Sequence, residues 1–282
     1  MTEVTYRPNQ RSQLGYFETW KRMAGSLAKN RELIAQLFRR DFVGSYKKSL
    51  LGPTWVFLSP IVGVVAWVFL RRAGLLNAGE LDIPYPIYVL VGTTMWGLFM
   101  GFYSASASTL HAAGSLLMQI SFPHEVYLFE QNALQLVNFS ILLVLNLLAM
   151  MVFGVAPSWK LILLPLVLLP LFLAGAAIGL IASVFGAVTV DVRRGLDLTL
   201  GMMIWLSPII YSPSNPSSTL TTISGYNPLT HLVCSARDII LYGRLYDTGG
   251  FLLSSVLALI LFLYACRVFY VAETKLVERM LV

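Results

Sequence analysis

The sequence predicts an all-α polytopic membrane protein with six transmembrane helices, an N-terminal amphipathic interface helix, and short re-entrant helices between spans five and six. Three observations predict it. Of the 282 residues, 57% are hydrophobic and only 12% charged, where a soluble domain carries about a quarter charged residues. The charges are also segregated, leaving uncharged runs at 49–70, 83–124, 131–159, 161–190, 198–236 and 248–266. Most of these runs are long enough to cross a hydrocarbon layer of ~30 Å, which takes roughly 20 helical residues. Finally, ten of the twenty Lys and Arg precede Ser49. With six spans and the amino terminus inside, fifteen cations lie on the inner side and five on the outer, as the positive-inside rule requires. Both termini are therefore expected in the cytoplasm. The net charge of +6 reflects membrane orientation, with no nucleic-acid partner needed to account for it.

Residues 1–48 read as a cytoplasmic segment and 49–282 as the transmembrane domain. The first 48 residues are too polar to contain an apolar signal core, so no cleavable signal peptide is expected and the first span leads insertion. Within 13–43, Trp20, Ala24, Leu27, Ile34 and Phe38 recur at helical spacing among Lys21, Arg22, Lys29, Arg31, Arg39 and Arg40. That is the pattern of a basic amphipathic helix lying in the headgroup plane; a helix packed on protein would show it too. Asn30 is placed to cap and divide two helices.

Span one, about 52–70, opens with Pro53 at its first turn, where a missing N–H does no harm. Span two covers about 84–109. The stretch 111–130, HAAGSLLMQISFPHEVYLFE, is broken by Gly114, Pro123, His124 and Glu125 and is too interrupted to cross. It reads as an inner loop with a short helix whose apolar side chains meet a partner. Spans three, about 131–153, and four, about 161–188, are joined by the outer turn GVAPSWK. Asp191, Arg193, Arg194 and Asp197 form the next inner loop, and span five, about 198–213, is short. Residues 214–247 mix apolar side chains with Asn227, Pro228, His231, Arg237 and Asp238. A re-entrant or outer-surface helical pair fits, since irregular backbone at membrane depth must be covered by protein or water. Span six, about 249–267, leads to a charged tail. The pairs Gly97/Gly101 and Gly175/Gly179 suit close helix packing. Cys234 and Cys266 are expected near opposite faces, too far apart for a disulfide.

Reactive chemistry is sparse. HEVYL at 124–128 begins like the zinc motif HExxH, but Leu128 stands where the second histidine belongs. There is no GxSxG, and the three histidines do not share one loop. No phosphate-cradling GxxxxGK[ST] occurs, because none of the six lysines follows a glycine. A proton-coupled carrier would want acidic or histidine groups within its spans, and the uncharged runs offer almost none. If ATP drives the protein, another chain binds it.

Ser49, Gly52, Trp55 and Pro60 form S-x-x-G-x-x-W-x-x-x-x-P after the amphipathic helix, and YPIYVLVGTTMWGLF enters span two. Phe122-Pro123 with Glu125 follow in the inner loop, then Ser207-Pro208 and Tyr211, then Asn227-Pro228 with Arg237, Leu241 and Gly243. In this order the chain resembles the permease subunit of ABC-2-type polysaccharide exporters, the group that moves O-antigen, capsule or teichoic-acid chains. It departs from the pattern at Met118 and Gln119, where relatives often carry basic residues, and at Asp191, where an arginine is common. The resemblance implies a homodimer enclosing the conduit, two copies of a separate ABC ATPase that bind ATP and Mg, and a lipid-linked glycan as substrate. No cofactor is expected in this chain, and location in a bacterial inner membrane follows. The coupling element is expected in the 111–130 loop, at Leu116, Leu117, Phe122, Pro123, His124 and Glu125. The resemblance also implies short outer helices near the exit at 214–247.

Arg39, Arg40, Lys47 and Lys48 are candidates to receive the anionic head of the lipid-linked glycan, since basic groups beside phosphate gain charge-assisted hydrogen bonds. Lipid anchoring and topology control would use the same collar. Trp67, Trp96, Phe99, Phe102, Tyr103 and Trp205 are candidate conduit liners by stacking on sugar rings, or else core and lipid contacts. An ABC-2 permease for a drug or small lipid shares the fold, which does not fix substrate.

Overall fold

The computed structural model describes residues 15–47, 52, 54–76, 78–110, 124–212 and 219–280. Every regular element among them is helical. In chain order these are α1 (Tyr16–Lys29), α2 (Arg31–Lys47), α3 (Thr54–Arg72), α4 (Tyr85–Ala107) and α5 (His124–Val152). A 3-10 turn at Trp159–Leu163 leads into α6 (Leu164–Gly186). Then come α7 (Val190–Met203), α8 (Thr219–Tyr226), α9 (Pro228–Leu241) and α10 (Thr248–Met280). Five stretches are long and apolar enough to cross a membrane: Thr54–Arg72, Tyr85–Ala107, His124–Val152, Trp159–Gly186 and Thr248–Ala272.

The amphipathic segment is two helices. Asn30 separates them, its backbone N–H and its Nδ2 both donating to the Ser26 carbonyl at 3.0 and 2.8 Å, which satisfies a carbonyl that the end of α1 would otherwise orphan. The apolar face of α1 is partly covered by protein. Trp20 meets Phe262 of α10 with ring centroids 6.1 Å apart, and Met23 and Thr19 are buried. α2 continues along the base of α5, packing Leu37 against Val126 and Tyr127.

α4 is the centre of the bundle, with Val89, Val91, Met95 and Phe99 fully buried. α6 approaches it closely because Gly175 and Gly179 carry no side chain. A Cβ on Gly175 would stand 2.8 Å from the Phe99 carbonyl oxygen, and one on Gly179 would collide with that of Tyr103. Small residues at such spacing let helix backbones touch. Gly97 and Gly101 differ. Gly101 receives the Gln135 amide of α5, whereas a Cβ on Gly97 would meet nothing within 4 Å.

The structure corrects three sequence expectations. Residues 124–130 are the first turns of α5 rather than part of a loop. Residues 191–197 belong to helix α7 rather than a loop. The stretch expected as span five, 198–213, is helical only to Met203 and turns from 204 to 209. Pro208 explains the break, because it lacks an N–H and its ring would clash with the carbonyl four residues earlier. The 190–212 segment nonetheless joins the two ends of the bundle. Gly186 and Arg193 lie together at the end bearing α1 and α2, and the Ser212 N–H donates to Ala78 at the other, 2.8 Å away. Between 214 and 247, α8 and α9 form a pair of short helices. Asn227 caps α9, its side chain accepting from the Leu229 N–H at 3.0 Å, with Pro228 in the first turn as capping geometry favours. Cys234 in α9 and Cys266 in α10 are buried free thiols.

Candidate functional site

Polar side chains in an apolar bundle are costly unless they serve one another or a ligand, so their distribution locates a site. A groove of about 640 Å³ runs between α3, α4 and α5. α3 contributes Trp55, Ser59, Pro60, Gly63 and Trp67; α4 contributes Thr93, Thr94 and Gly97; α5 contributes Gln131, Gln135 and Asn138. The three amide residues of α5 are spaced four and three apart, which puts them on one helical face. Gly97 leaves the floor open.

Several of these groups are already oriented. Thr93 Oγ1 donates to the Val89 carbonyl at 2.7 Å, and Asn146 Nδ2 donates to Thr94 Oγ1 at 3.0 Å. At the mouth beside α2, Gln131 Nε2 donates to Glu130 at 2.9 Å and to Asp41 at 3.2 Å. Arg40 is bound to Asp41 through two hydrogen bonds of 2.6 and 2.9 Å. That pairing raises the Arg40 pKa above its ordinary value, the hydrogen bond to Asp41 being the largest cause. The mouth therefore presents a fixed guanidinium–carboxylate pair, with Arg39 exposed next to it. Aromatic edges flank the groove. Trp67 stands edge-on to Trp205, with ring centroids 5.3 Å apart and planes at 70°, and Trp205 is 51% exposed.

Among the aromatic residues singled out from sequence, only Trp67 lines the groove, and Trp205 packs against it. Trp96, Phe99, Phe102 and Tyr103 are buried within the subunit. Phe102 packs edge-to-face on Phe172, and Tyr103 donates to Asp197 of α7 at 2.7 Å; packing claims their faces. Of the basic collar, Arg39 and Arg40 lie on α2, Lys47 is its last residue, and Lys48 falls outside the described residues. Leu116, Leu117, Phe122 and Pro123 also fall outside them. His124 and Glu125 are buried in the first turn of α5, with Glu125 in the wall of a small cavity beneath α1.

Sequence reasoning passed over Ser59, Thr93, Thr94, Gln131, Gln135 and Asn138. The signal was available in the helical spacing of Gln131, Gln135 and Asn138, but a search for charges does not register uncharged amides.

The chain is 25% identical over 251 residues to the O-antigen export system permease protein RfbA of Myxococcus xanthus, an alignment covering 88% of this chain and 95% of that relative. It is 22% identical over 219 residues to a Klebsiella pneumoniae protein of the same name, covering 76% of this chain and 82% of the relative. The family profile described as ABC-2 type transporter matches residues 32–241, from α2 to the end of α9. With most of its length inside that match, the chain belongs to the ABC-2 transporter membrane family.

Proposed function

We propose that this chain is the membrane-spanning subunit of an ATP-driven exporter that moves a lipid-linked, O-antigen-like polysaccharide across the bacterial inner membrane. The observation that carries the reading is the groove that sets hydroxyls and amides among apolar side chains such as Phe42, Val56, Leu134 and Leu142, with Trp55 and Trp67 in its wall. Hydroxyl and amide groups can exchange hydrogen bonds with sugar hydroxyls, and indole rings offer apolar faces to sugar rings. Relatives named as O-antigen export permeases support the same substrate class.

The groove is open along α3, which has no buried residue among those described. A second copy of the chain laid against α3 would close it into a conduit, so the working unit is a homodimer. Six crossings follow if 190–212 spans as a broken helix, with α8 and α9 entering from the outer side, both termini in the cytoplasm, and the fifteen-to-five distribution of cations obeyed. The pyrophosphate-linked head would enter at the inner mouth near Arg39, Arg40, Lys47 and Lys48. Arg40, held by Asp41, positions the mouth, and its neighbours supply the free charge.

The chain has no phosphate-binding GxxxxGK[ST] sequence, so two copies of a separate ABC ATPase supply ATP and Mg chemistry. They would dock at Leu116, Leu117, Phe122 and Pro123. His124 and Glu125, rooted in the base of α5, would pass the movement directly to Gln131, Gln135 and Asn138, because α5 is one unbroken helix. This is gating of a two-state element by an outside source of free energy.

Replacing Gln135 and Asn138 together with leucine removes the amides while preserving bulk. Surface glycan should fall on the order of tenfold, equivalent to about 1.4 kcal/mol, in cells deleted for their own copy and complemented in trans. Membrane level and association with the ATPase should be retained. Undiminished surface glycan in that double variant would overturn the reading.

A further inference from the structure

A second polar cavity, of about 440 Å³, lies at the end of the bundle away from α1 and α2. Its floor is Tyr88 of α4 and Arg237 of α9, and its wall includes Asp238, Tyr242 and Tyr246. Glu80, Asp82 and Arg244 stand around the rim. None of these residues belongs to the groove between α3, α4 and α5.

The floor is built to hold its shape. Arg237 is 2% exposed; its Nε donates to Asp238 Oδ1 at 2.7 Å and its Nη1 to the Pro208 carbonyl at 2.5 Å. The guanidinium lies 4.1 Å from the centroid of the Tyr88 ring. The Tyr88 hydroxyl is fixed in turn near the Pro208 and Tyr211 carbonyls, at 3.1 Å from each. Arg244 lies over the Tyr242 ring at 5.6 Å. The Asp238 side chain is 9% exposed and reaches the cavity, and its Oδ2 takes no hydrogen bond among the described residues. Facing the cavity, that oxygen can accept a hydrogen bond from a ligand.

The ligand chemistry follows from this set. Three carboxylates and two guanidiniums nearly cancel, so the site has neither the positive field wanted by a phosphate nor the concentrated negative field wanted by a bare divalent cation. A sugar ring presents neighbouring hydroxyls that donate and accept together, plus a C–H face that packs on an aromatic ring. Asp238 offers the acceptor, the arginines offer planar donors, and the tyrosines flank them. The volume falls within the roughly 300–1,000 Å³ of small-molecule sites. We propose that this cavity is a saccharide subsite, separate from the groove, that holds one or two sugar units at the exit end. Its part in export rests on the function proposed above; sugar binding itself does not.

The test is saturation-transfer NMR on the full chain in lipid nanodiscs, with free glucose, galactose, mannose, rhamnose and N-acetylglucosamine as probes. At least one sugar should give a signal absent from empty nanodiscs. That signal should fall several-fold in Asp238→Asn and in Arg244→Ala, and persist in Leu75→Ala, a change at an exposed residue at the same end outside the cavity. If Asp238→Asn does not fold, Arg244→Ala, at an exposed rim position, decides alone. The proposal fails if no sugar gives a signal, if the signal ignores the cavity variants, or if it is lost in Thr93→Val, which would put the sugar in the groove. It fails equally if inorganic phosphate or calcium binds at these residues and sugar does not. Sugar binding that survives alongside normal glycan export in the Gln135/Asn138 variant would leave this subsite standing while removing the groove's role.

Discussion

Gly97 and Gly179 occupy the same kind of small-residue spacing, yet the structure assigns them opposite work. Gly179 sits against the backbone of α4 at Tyr103, where nothing flexible can yield, and Gly97 opens onto the groove. Gly179→Ala should therefore destabilise the fold by about 1–3 kcal/mol, the usual cost of overpacking, and Gly97→Ala should leave the melting temperature in detergent unchanged. Equal melting behaviour of the two variants would refute this division. Charge was legible at this scale, in the ten of twenty Lys and Arg that precede Ser49. The burial of Trp96, Phe99, Phe102 and Tyr103 was not, because an aromatic residue in an apolar span looks the same whether it faces core, lipid or conduit. The Arg237–Asp238 pair was legible as two letters only; its meaning comes from Tyr88 and the Pro208 carbonyl, which lie far away in sequence.

Helices were the most legible level. Apolar run length predicted six spans, and five of them are helices of membrane length; the spacing of Trp20, Ala24, Leu27, Ile34 and Phe38 gave the two basic helices divided at Asn30. Boundaries slipped where charges were taken to mean loops. His124, Glu125, Asp191, Arg193 and Arg194 are all helical, because a helix projecting beyond the apolar layer tolerates charge without ending. Pro208 lies in the turn that follows the end of α7 at Met203. What covers α1 was undecided in the sequence, since an apolar stripe suits a membrane surface and a protein surface alike; Phe262 supplies the answer. Trp20→Ala should loosen α1 from that seat. Amide exchange should rise across 16–29 and stay unchanged across 229–241, the buried residues of α9. Uniform protection in both regions would show that α1 does not depend on this contact.

At the scale of the molecule, a bundle with a buried α4, an α3 without buried residues and a seam between them has the form that the proposed homodimer would close into a conduit. Several features point the same way: the amides share one face of α5, Gly97 is vacant, and α5 runs unbroken from the base to the seam. The family match extends from α2 to α9, so the seam and the short helices lie within the part shared by ABC-2 membrane proteins. The central claim is that exported glycan passes along this seam. A photo-crosslinking amino acid placed at Gly97, at buried Phe99 and at Leu148, which is 55% exposed on the outside of the bundle, tests it in exporting cells. The account predicts a glycan adduct at position 97 and none at 99 or 148; adducts at 148, or none at 97 while export continues, would contradict it.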